Sequence, residues 1–445
     1  MRKLLTVLSC ALMAATLSAQ VTDWKTATGY NKKAAKEQLI KRFTHYVTFD
    51  TQSNDSADKV PSTPGQLKFA KELAKELKKY GAKNVQLDGY GFVTANIPAT
   101  SDKPAPTIAF LAHMDTAQES SGKNVKPQVH KDYKGGDIVI DAAHHIAINP
   151  ENSPQLARAI GHDIITASGK TLLGADDKTG VSIVMTLVQY LYDHPDFKHG
   201  PIKVAFTPDE EIGTGIEKFN VKNFGADYAY TLDGGNLGEL TNETFTAKAF
   251  KAVFTGNRAV HPGDAMNSPF EDNILMASDF HTLLPRQFRP ETTSGRRGYI
   301  FLDTFVTQDD TTTVEGILRA FSDDEMNTLV GHLNQALRTV KAMHHKGTAT
   351  LEITDQYRNF SEKIPPQMIT LAQQAMRQEE ITPVLNAARG GTDGSTLSFM
   401  GLPTPDLFAG QFNIHSEREY ADVDVMEASL RTVLRLVELW NLQGK

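Results

Sequence analysis

Three short apolar runs end in histidines or carboxylates, and this placement constrains the fold more tightly than any other feature of the chain. The runs are residues 108–112, 204–206 and 230–232, and the side chains that follow them are His113, Asp115, Glu210, Glu211 and Asp233. In open α/β sheets, ligands gather beyond the carboxyl ends of the strands. If the runs are strands of one sheet, we expect these side chains to converge on one of its edges. Asp176 precedes the apolar helical stretch 179–192, so it can lie at the same edge.

The chemistry of this set indicates a divalent metal used for hydrolysis. Its donors are oxygen and imidazole nitrogen, with no cysteine among them. Taken singly, each short motif is more often a hydrogen-bonded turn or a solvated loop than a chemical site. Several carboxylates at one edge would repel each other at a high cost unless a cation neutralised them. Their joint placement therefore favours a metallohydrolase.

The N-terminal segment has the layout of a secretory signal peptide. Basic residues precede the apolar run 4–17 and the small residues 18–19. We expect a signal peptide over residues 1–20, cleavage near Ala19, and export to the periplasm or the cell exterior. Cys10 is the only cysteine of the chain and lies within this segment, so the mature protein has no disulfide and no thiol nucleophile.

Charge and hydropathy exclude two classes of partner. The formal net charge is −7 over 445 residues, and the lysines and arginines form no cluster along the chain. Nucleic acid or an anionic membrane would need a clustered basic face. Beyond the N-terminal segment, no apolar run is long enough to span a bilayer. We therefore expect an exported globular protein with no nucleic-acid or membrane partner.

The pattern of helices and strands predicts two domains. Helices alternate with apolar strands up to about Ala247, which predicts an α/β domain with a largely buried sheet. Thr63-Pro64-Gly65-Gln66 is typical of a capping box that begins one of its helices. From Ala247, two predicted helices and several half-exposed strands indicate a small two-layer α/β domain inserted into the first. We expect a catalytic domain in two parts, residues 21–246 and 358–445, interrupted by residues 247–357.

Six longer segments carry a resemblance to a known family. They are AHMDT (112–116), TLLGADDKTG (171–180), FTPDEEIGTG (206–215), YTLDGG (230–235), VHPG (260–263) and RGGTDGSTLSFMGLPTP (389–405). They resemble the peptidase T family of tripeptide aminopeptidases, part of a dinuclear-zinc superfamily that also holds aminoacylases and carboxypeptidase G. The resemblance implies an α/β zinc-peptidase domain, with a phosphorylase/hydrolase-like mixed sheet flanked by helices. It also implies an inserted ferredoxin-like lid that forms a homodimer.

Carried over by motif, the resemblance implies two zinc ions bridged by Asp176. His113 and Asp233 complete the ligands of one ion. Glu211 and His415 complete those of the other. Paired ions of this kind lie about 3.5–4 Å apart, a spacing that a shared carboxylate can bridge. Manganese or cobalt could use the same oxygen and imidazole donors.

The resemblance also assigns roles around the metals. Asp115 accepts a hydrogen bond from the nearby ligand histidine, and Glu210 is the general base that takes a proton from the attacking water. His261 reaches across the dimer to stabilise the oxyanion, although His-Pro-Gly alone is more often a turn. Arg319 and Arg389 are candidates for binding the substrate carboxylate, against the alternative of solvated surface charges.

The chain departs from the family pattern in two places. Gln411 and Ser416 stand where the family usually has glycines beside the last ligand histidine. In the lid, residues 293–298 are basic where the family tends to be acidic, and Ala320 stands where an aspartate is usual. These departures leave metal-dependent peptide hydrolysis better supported than a preference for tripeptides.

Three functions remain open. The first is an exported dinuclear zinc aminopeptidase that acts on tripeptides or other short peptides. The second is a related hydrolase, such as a dipeptidase, a carboxypeptidase or an N-acyl amino acid hydrolase. The third is a noncatalytic peptide-binding protein, which the presence of Glu210 and of all five ligand positions disfavours because a binding protein needs no base.

Overall fold

The computed structural model describes residues 24–258 and 261–443, which form two compact units. The first unit takes in the described residues up to Leu240, then Pro366–Val384, and the described residues from Asp406 onward. The second unit takes in the described residues between Thr241 and Pro365, together with Leu385–Pro405. The expected signal peptide lies outside the described residues, and the domain boundaries set out above stay predictions.

Ten helices lie in the described residues. They are α1 (Trp24–Thr28), α2 (Lys32–Tyr46), α3 (Pro64–Tyr80), α4 (Ala175–Asp193), α5 (Val221–Phe224), α6 (Asn273–Leu283), α7 (Asp323–Met343), α8 (Pro366–Gln378), α9 (Asp393–Phe399) and α10 (Val423–Gln443). None of these described helices combines the length and the hydropathy that a membrane crossing requires.

Eighteen strands accompany these helices in the same residues. They are β1 (Lys83–Leu87), β2 (Val93–Ile97), β3 (Ile108–His113), β4 (Gln128–His130), β5 (Ile138–Asp141), β6 (Ile146–Ile148), β7 (Ile164–Thr166), β8 (Ile202–Thr207), β9 (Tyr228–Gly234), β10 (Glu239–Thr244), β11 (Thr246–Thr255), β12 (Tyr299–Gln308), β13 (Thr311–Ala320), β14 (Thr348–Tyr357), β15 (Val384–Ala388), β16 (Asp406–Phe408), β17 (Gln411–Phe412) and β18 (Tyr420–Asp422).

The first unit is built on a mixed sheet in which β1, β2, β8, β3, β9 and β16 lie side by side in that order. Strands β8, β3, β9 and β16 are parallel, whereas β1 and β2 pair antiparallel at one side. Every residue of β3 is buried, as expected for a central parallel strand covered on both faces. The parallel strands bring the carboxyl ends of β3, β8 and β9 to one edge. The predicted mixed α/β fold is confirmed.

The start of α3 differs in detail from the predicted capping box. Pro64 does occupy the first turn, and Gly81 ends the helix in the left-handed conformation at φ 92°, which glycine adopts without strain. The side chain of Thr63, however, makes no capping hydrogen bond. Gln66 does not close a capping box because its amide is engaged with Asp209, a contact described below.

The second unit contains an antiparallel sheet of four strands in the order β12-β13-β11-β14. Helices α6 and α7 pack against it, and one hydrophobic core joins the two layers. Its largest buried members are Phe250, Phe254, Met276, Phe280, Leu329 and Leu333. This is the two-layer arrangement expected for the insertion. Strand β13 was not predicted; it forms a hairpin with β12 through Asp309, whose φ of 51° suits a tight turn.

A smaller sheet in the first unit positions the last predicted ligand. Its strand order is β17-β18-β7-β4. His415 lies in the loop between β17 and β18, which pair antiparallel, and its own φ is 60°. Pairing of β18 with β7 anchors that loop to the unit that carries the large sheet. The position of His415 therefore depends on long-range strand pairing rather than on the local sequence alone.

Candidate metal centre

His113 ends β3 and faces two carboxylates in the first unit. Its Nε2 atom lies 2.9 Å from Oδ1 of Asp176 and 3.6 Å from Oδ1 of Asp233. The imidazole is buried, at 3% exposure, so it addresses these oxygens rather than solvent. Asp233 lies in β9, the strand beside β3. The expected convergence of the strand ends is therefore observed.

His415 faces a second pair of carboxylates that includes the same aspartate. Its Nε2 atom lies 2.9 Å from Oε2 of Glu211 and 3.4 Å from Oδ2 of Asp176. Asp176 thus turns Oδ1 toward one histidine and Oδ2 toward the other. A carboxylate with one oxygen in each of two donor clusters has the geometry needed to bridge two cations. All five side chains proposed as ligands meet in one site.

The loop that carries Asp176 is held by Glu419, which sequence reasoning missed. Glu419 Oε2 accepts the backbone N–H groups of Leu173 and Gly174 at 2.6 and 2.7 Å, and its Oε1 accepts that of Asp176 at 3.0 Å. Gly174 has φ 79°, and Asp176 is extended before the regular part of α4. The only sequence clue is the position of Glu419, four residues after His415.

Asp115 links the first histidine to the loop after β8. Its Oδ1 accepts the backbone N–H of Glu210 at 3.0 Å, and its Oδ2 accepts that of Glu211 at 3.1 Å. The same Oδ1 lies 3.4 Å from Nδ1 of His113, and Asp115 is fully buried. Nδ1 of His113 nevertheless makes no hydrogen bond among the described residues, so the orienting bond that the resemblance implied is approached but not formed. The structure adds a second contact set, through which Asp115 fixes the loop that carries Glu210.

Asp209 anchors the same loop from its other side and was also missed from the sequence. Its carboxylate accepts the backbone N–H of Ser62 at 2.7 Å and the amide of Gln66 at 2.6 Å. Gln66 in turn accepts the backbone N–H of Asp209 at 3.1 Å. Asp209 has φ 56°, so these buried bonds hold a backbone conformation that non-glycine residues seldom adopt.

Asp177, although adjacent to the shared aspartate, serves the scaffold. One of its oxygens accepts the backbone N–H of His113 at 3.2 Å, and the other accepts that of Gly180 at 3.0 Å. The first bond ties α4 to the end of β3, and the second lies within the first turns of α4. Burial and the charge of Asp233 raise the pKa of the Asp177 carboxyl well above its ordinary value.

The electrostatics of the site show a surplus of buried negative charge. Burial, and then the charge of Asp176, raise the pKa of Glu211 and the pKa of Asp233. Burial alone would lower the pKa of His415, but hydrogen bonds to Asp176 and Glu211 outweigh it and raise that pKa to about 12. In the protein alone, the raised pKa values of Glu211, Asp233 and His415 favour bound protons, which offset the buried negative charge. A divalent cation would replace those protons.

A further observation indicates that these donors can hold a metal ion. Oε1 of Glu211 is buried and has no hydrogen-bond partner among the described residues. A buried carboxylate oxygen left unpaired costs free energy, so a cation is its natural partner. Clusters of suitable ligand atoms lie within 4.8 Å of one another, for example those of His113, Asp176 and Glu211. The residues present can hold divalent metal.

The three predicted substrate residues lie in the second unit. His261 is exposed, and its Nδ1 accepts the backbone N–H of Gly263 at 3.1 Å. Arg319 in β13 donates to its neighbour's carbonyl and stacks over the ring of Tyr357 at 5.3 Å. Arg389 donates to the carbonyl of Gly295 at 2.8 Å. Their roles toward substrate stay predictions.

Comparison with known proteins places the chain in a family. Peptidase family M20/M25/M40 matches residues 172–439. A protein named Peptidase T from Bacillus pumilus is 44% identical over 411 residues, which is 91% of this chain and 99% of that protein. A Peptidase T from Parabacteroides distasonis is 44% identical over 410 residues, covering 90% of this chain and 98% of that protein.

Two solved structures share the fold. One is aminopeptidase PepT from Bacillus cereus, with a TM-score of 0.71 and 23% identity over 91% of this chain and 98% of that chain. The other is a tripeptidase from Staphylococcus aureus, with a TM-score of 0.73 and 19% identity over 92% of this chain and 99% of that chain. The resemblance to peptidase T and the prediction of a metallo-aminopeptidase are confirmed, and the chain belongs to peptidase family M20/M25/M40.

Proposed function

We propose that the protein is a dinuclear zinc aminopeptidase that releases the N-terminal residue from tripeptides or other short peptides. The observation that carries this proposal is the position of Asp176, with one carboxylate oxygen toward His113 and the other toward His415. Relatives named Peptidase T and a tripeptidase of the same fold support the substrate class.

In this proposal, His113 and Asp233 would hold one zinc ion, Glu211 and His415 would hold the other, and Asp176 would be shared between them. Manganese or cobalt fit the same oxygen and imidazole donors. Bound divalent metal supplies Lewis-acid chemistry, which polarises a peptide carbonyl and lowers the pKa of water.

Glu210 acts as the general base. It takes a proton from the attacking water and passes that proton to the nitrogen of the departing peptide, so that cleavage of the C–N bond yields an amine and a carboxylic acid. Support for this role comes from the two anchors of its loop. Asp115 accepts the backbone N–H of Glu210, and the preceding residue, Asp209, is held by its hydrogen bonds with Ser62 and Gln66. A base on a rigid loop keeps the geometry that proton transfer needs.

The remaining substrate contacts are proposed from the resemblance. His261 stabilises the oxyanion from the partner subunit of a homodimer. Arg319 or Arg389 binds the carboxylate of the peptide through its guanidinium group. Each of these roles requires the residue to meet substrate during turnover.

We also propose that the chain is exported to the periplasm or the cell exterior. The basic start, the apolar run 4–17 and the small residues 18–19 support it. Mass spectrometry of the protein from cell fractions tests this proposal. A mature N-terminus just after Ala19 in the exported fraction is expected, and a full-length chain confined to the cytoplasm would contradict export.

The test of the proposed reaction is a panel of di-, tri- and tetrapeptides with the zinc-loaded protein. We expect release of the first residue from free tripeptides and no release after chelation. Glu210→Gln should lower kcat by roughly 10²–10⁴-fold while metal content is retained. Glu37→Gln, on an exposed face of α2, is the matched control and should turn over as the parent does.

Two results would favour other functions. Equal cleavage of peptides with a blocked amino terminus would favour a carboxypeptidase or an N-acyl amino acid hydrolase. Tight peptide binding without turnover under every metal condition would favour a binding protein. Full activity in Glu210→Gln would refute the role of the base.

A further inference from the structure

Gln411 places its side-chain amide among the carboxylates of the candidate metal centre. Its Nε2 atom lies 2.9 Å from Oδ1 of Asp233, 3.2 Å from Oδ1 of Asp176, and 2.7 Å from the carbonyl oxygen of Asp233. Gln411 is only 4% exposed, so these oxygens are its surroundings rather than solvent. Both carboxylate oxygens are the ones that face Nε2 of His113.

The surroundings fix which end of the amide faces the carboxylates. Three oxygen acceptors surround one end, and only the NH₂ group can donate to them. The other end, Oε1, lies 3.0 Å from the hydroxyl oxygen of Thr179, whose single hydrogen is shared between Oε1 and the carbonyl of Ala175 at 2.9 Å. A reversed amide would set an oxygen against three oxygens in a buried site, which is unfavourable. The amide therefore turns its NH₂ group to Asp176 and Asp233, and its two N–H groups are shared among the two carboxylate oxygens and the carbonyl of Asp233.

We propose that Gln411 is a positioning residue for the metal centre: its amide cross-links the carboxylates of Asp176 and Asp233 and sets their spacing. The inference rests on the proposed metallopeptidase function. The two carboxylates repel each other when ionised, and a shared donor holds both at one distance before a cation arrives. A glycine, which the related family usually has at this position, offers no side-chain donor. This chain therefore contains a support for its metal ligands that the glycine cannot supply.

We expect this support to increase the affinity of the protein for the first zinc ion that binds. Ligands already held in place lose less freedom when the ion binds, so the support increases affinity. Removing hydrogen-bond partners of metal ligands costs about 10–100-fold in affinity in other proteins. Loss of the Gln411 amide should fall in that range. Since Thr179 orients the amide, Thr179→Val should cause a smaller loss in the same direction.

The test is a metal titration of the full-length, chelator-treated protein in competition with a zinc-binding dye. Gln411→Leu and Gln411→Met both fill the space without a hydrogen-bond donor. Two variants are used so that the test can proceed if one of them fails to fold. Gln128→Leu is the matched control, because its amide donates to a backbone carbonyl, that of Ala167 at 3.3 Å, and to no ligand carboxylate. We expect a loss of about 10–100-fold in zinc affinity for the two Gln411 variants and parent affinity for the control.

Two outcomes overturn the inference. Parent zinc affinity in either folded Gln411 variant shows that the residue only fills space. An equal loss in the Gln128→Leu control shows that general weakening of the fold, rather than the ligand contacts, sets the affinity. Failure of the proposed function gives a different result. Zinc binding by the parent protein without peptide hydrolysis would contradict the proposed enzymatic function. The zinc affinities of the variants are measured without substrate and do not depend on that result.

Discussion

Glu419 accepts the backbone N–H of Asp176 at 3.0 Å, which ties the segment carrying one histidine to the shared carboxylate. The other oxygen of Glu419 holds two more N–H groups of the same loop, those of Leu173 and Gly174. The two donor clusters therefore do not depend only on bound metal to stay together. Glu419 therefore helps to position the centre through backbone N–H groups, and none of these contacts is to the side chain of a predicted ligand.

Replacing Glu419 with glutamine should weaken both the fold and the metal site. Glutamine keeps one acceptor oxygen and turns an NH₂ group toward backbone N–H groups, which leaves a buried donor unpaired at roughly 1–3 kcal/mol. We expect Glu419→Gln to lower the free energy of unfolding by that amount and to reduce zinc affinity. Urea unfolding and zinc titration measure the two effects. An unchanged unfolding midpoint would show that the loop is held by other contacts.

Asp115→Asn should reduce catalysis more than stability. The variant loses one of the two acceptors for the backbone of Glu210 and Glu211, and it places an amide near His113. We expect kcat/KM to fall about 10–100-fold with zinc content measured in the same samples. Asp88→Asn is the control, since Asp88 also accepts backbone N–H groups, from Tyr90 and Phe92, but in an exposed turn. Similar losses in both variants would argue against a specific role.

Gln66→Leu tests the second anchor of the loop. The substitution removes a donor to the Asp209 carboxylate and an acceptor for its backbone N–H. We expect a loss of roughly 1–3 kcal/mol in unfolding free energy, because a buried polar group loses its partner. We also expect kcat to fall more than KM rises, since the loop carries the base. Kinetics within twofold of the parent, with lowered stability, would confine Asp209 to a structural role.

The second unit contains a histidine that should make stability depend on pH. Burial lowers the pKa of His344, but hydrogen bonds to Glu271 at 2.9 Å and Asp279 at 2.7 Å outweigh it and raise that pKa. A raised pKa means that protonated His344 stabilises the fold. Its full contribution is present below the unfolded value of about 6.5 and is lost as pH rises through the folded pKa.

His344→Gln should therefore lower the melting temperature most at pH 6 and progressively less at higher pH. The neighbouring His345→Gln is the matched control, because His345 is exposed. Melting curves of the metal-free proteins from pH 6 to pH 10 measure the difference. A gap between parent and His344→Gln that grows with pH would have the wrong sign.

The sequence alone was sufficient to predict that the side chains at the ends of the parallel strands lie close together. His113 and Asp233 follow apolar runs in parallel strands, so a general rule about sheet edges places them together. It was not sufficient for Glu419, Gln66 or Gln411. Their partners lie far away in the chain, and neither the backbone N–H groups that Glu419 accepts nor the oxygens to which Gln411 donates leave a pattern in residue types. Strand β13 was missed because Glu315 and Gly316 interrupt its apolar pattern, and a glycine weakens the signal of a strand.

If Asp176 joins two metal sites, removing its carboxylate should affect zinc binding at both, and zinc stoichiometry measures this. The chelator-treated parent and Asp176→Ala should be titrated with zinc, and the bound metal per chain measured after gel filtration. We predict two tightly bound zinc ions per chain in the parent and loss of tight binding at both sites in Asp176→Ala. One zinc ion per parent chain, or two retained by Asp176→Ala, would contradict a carboxylate shared by two metal sites.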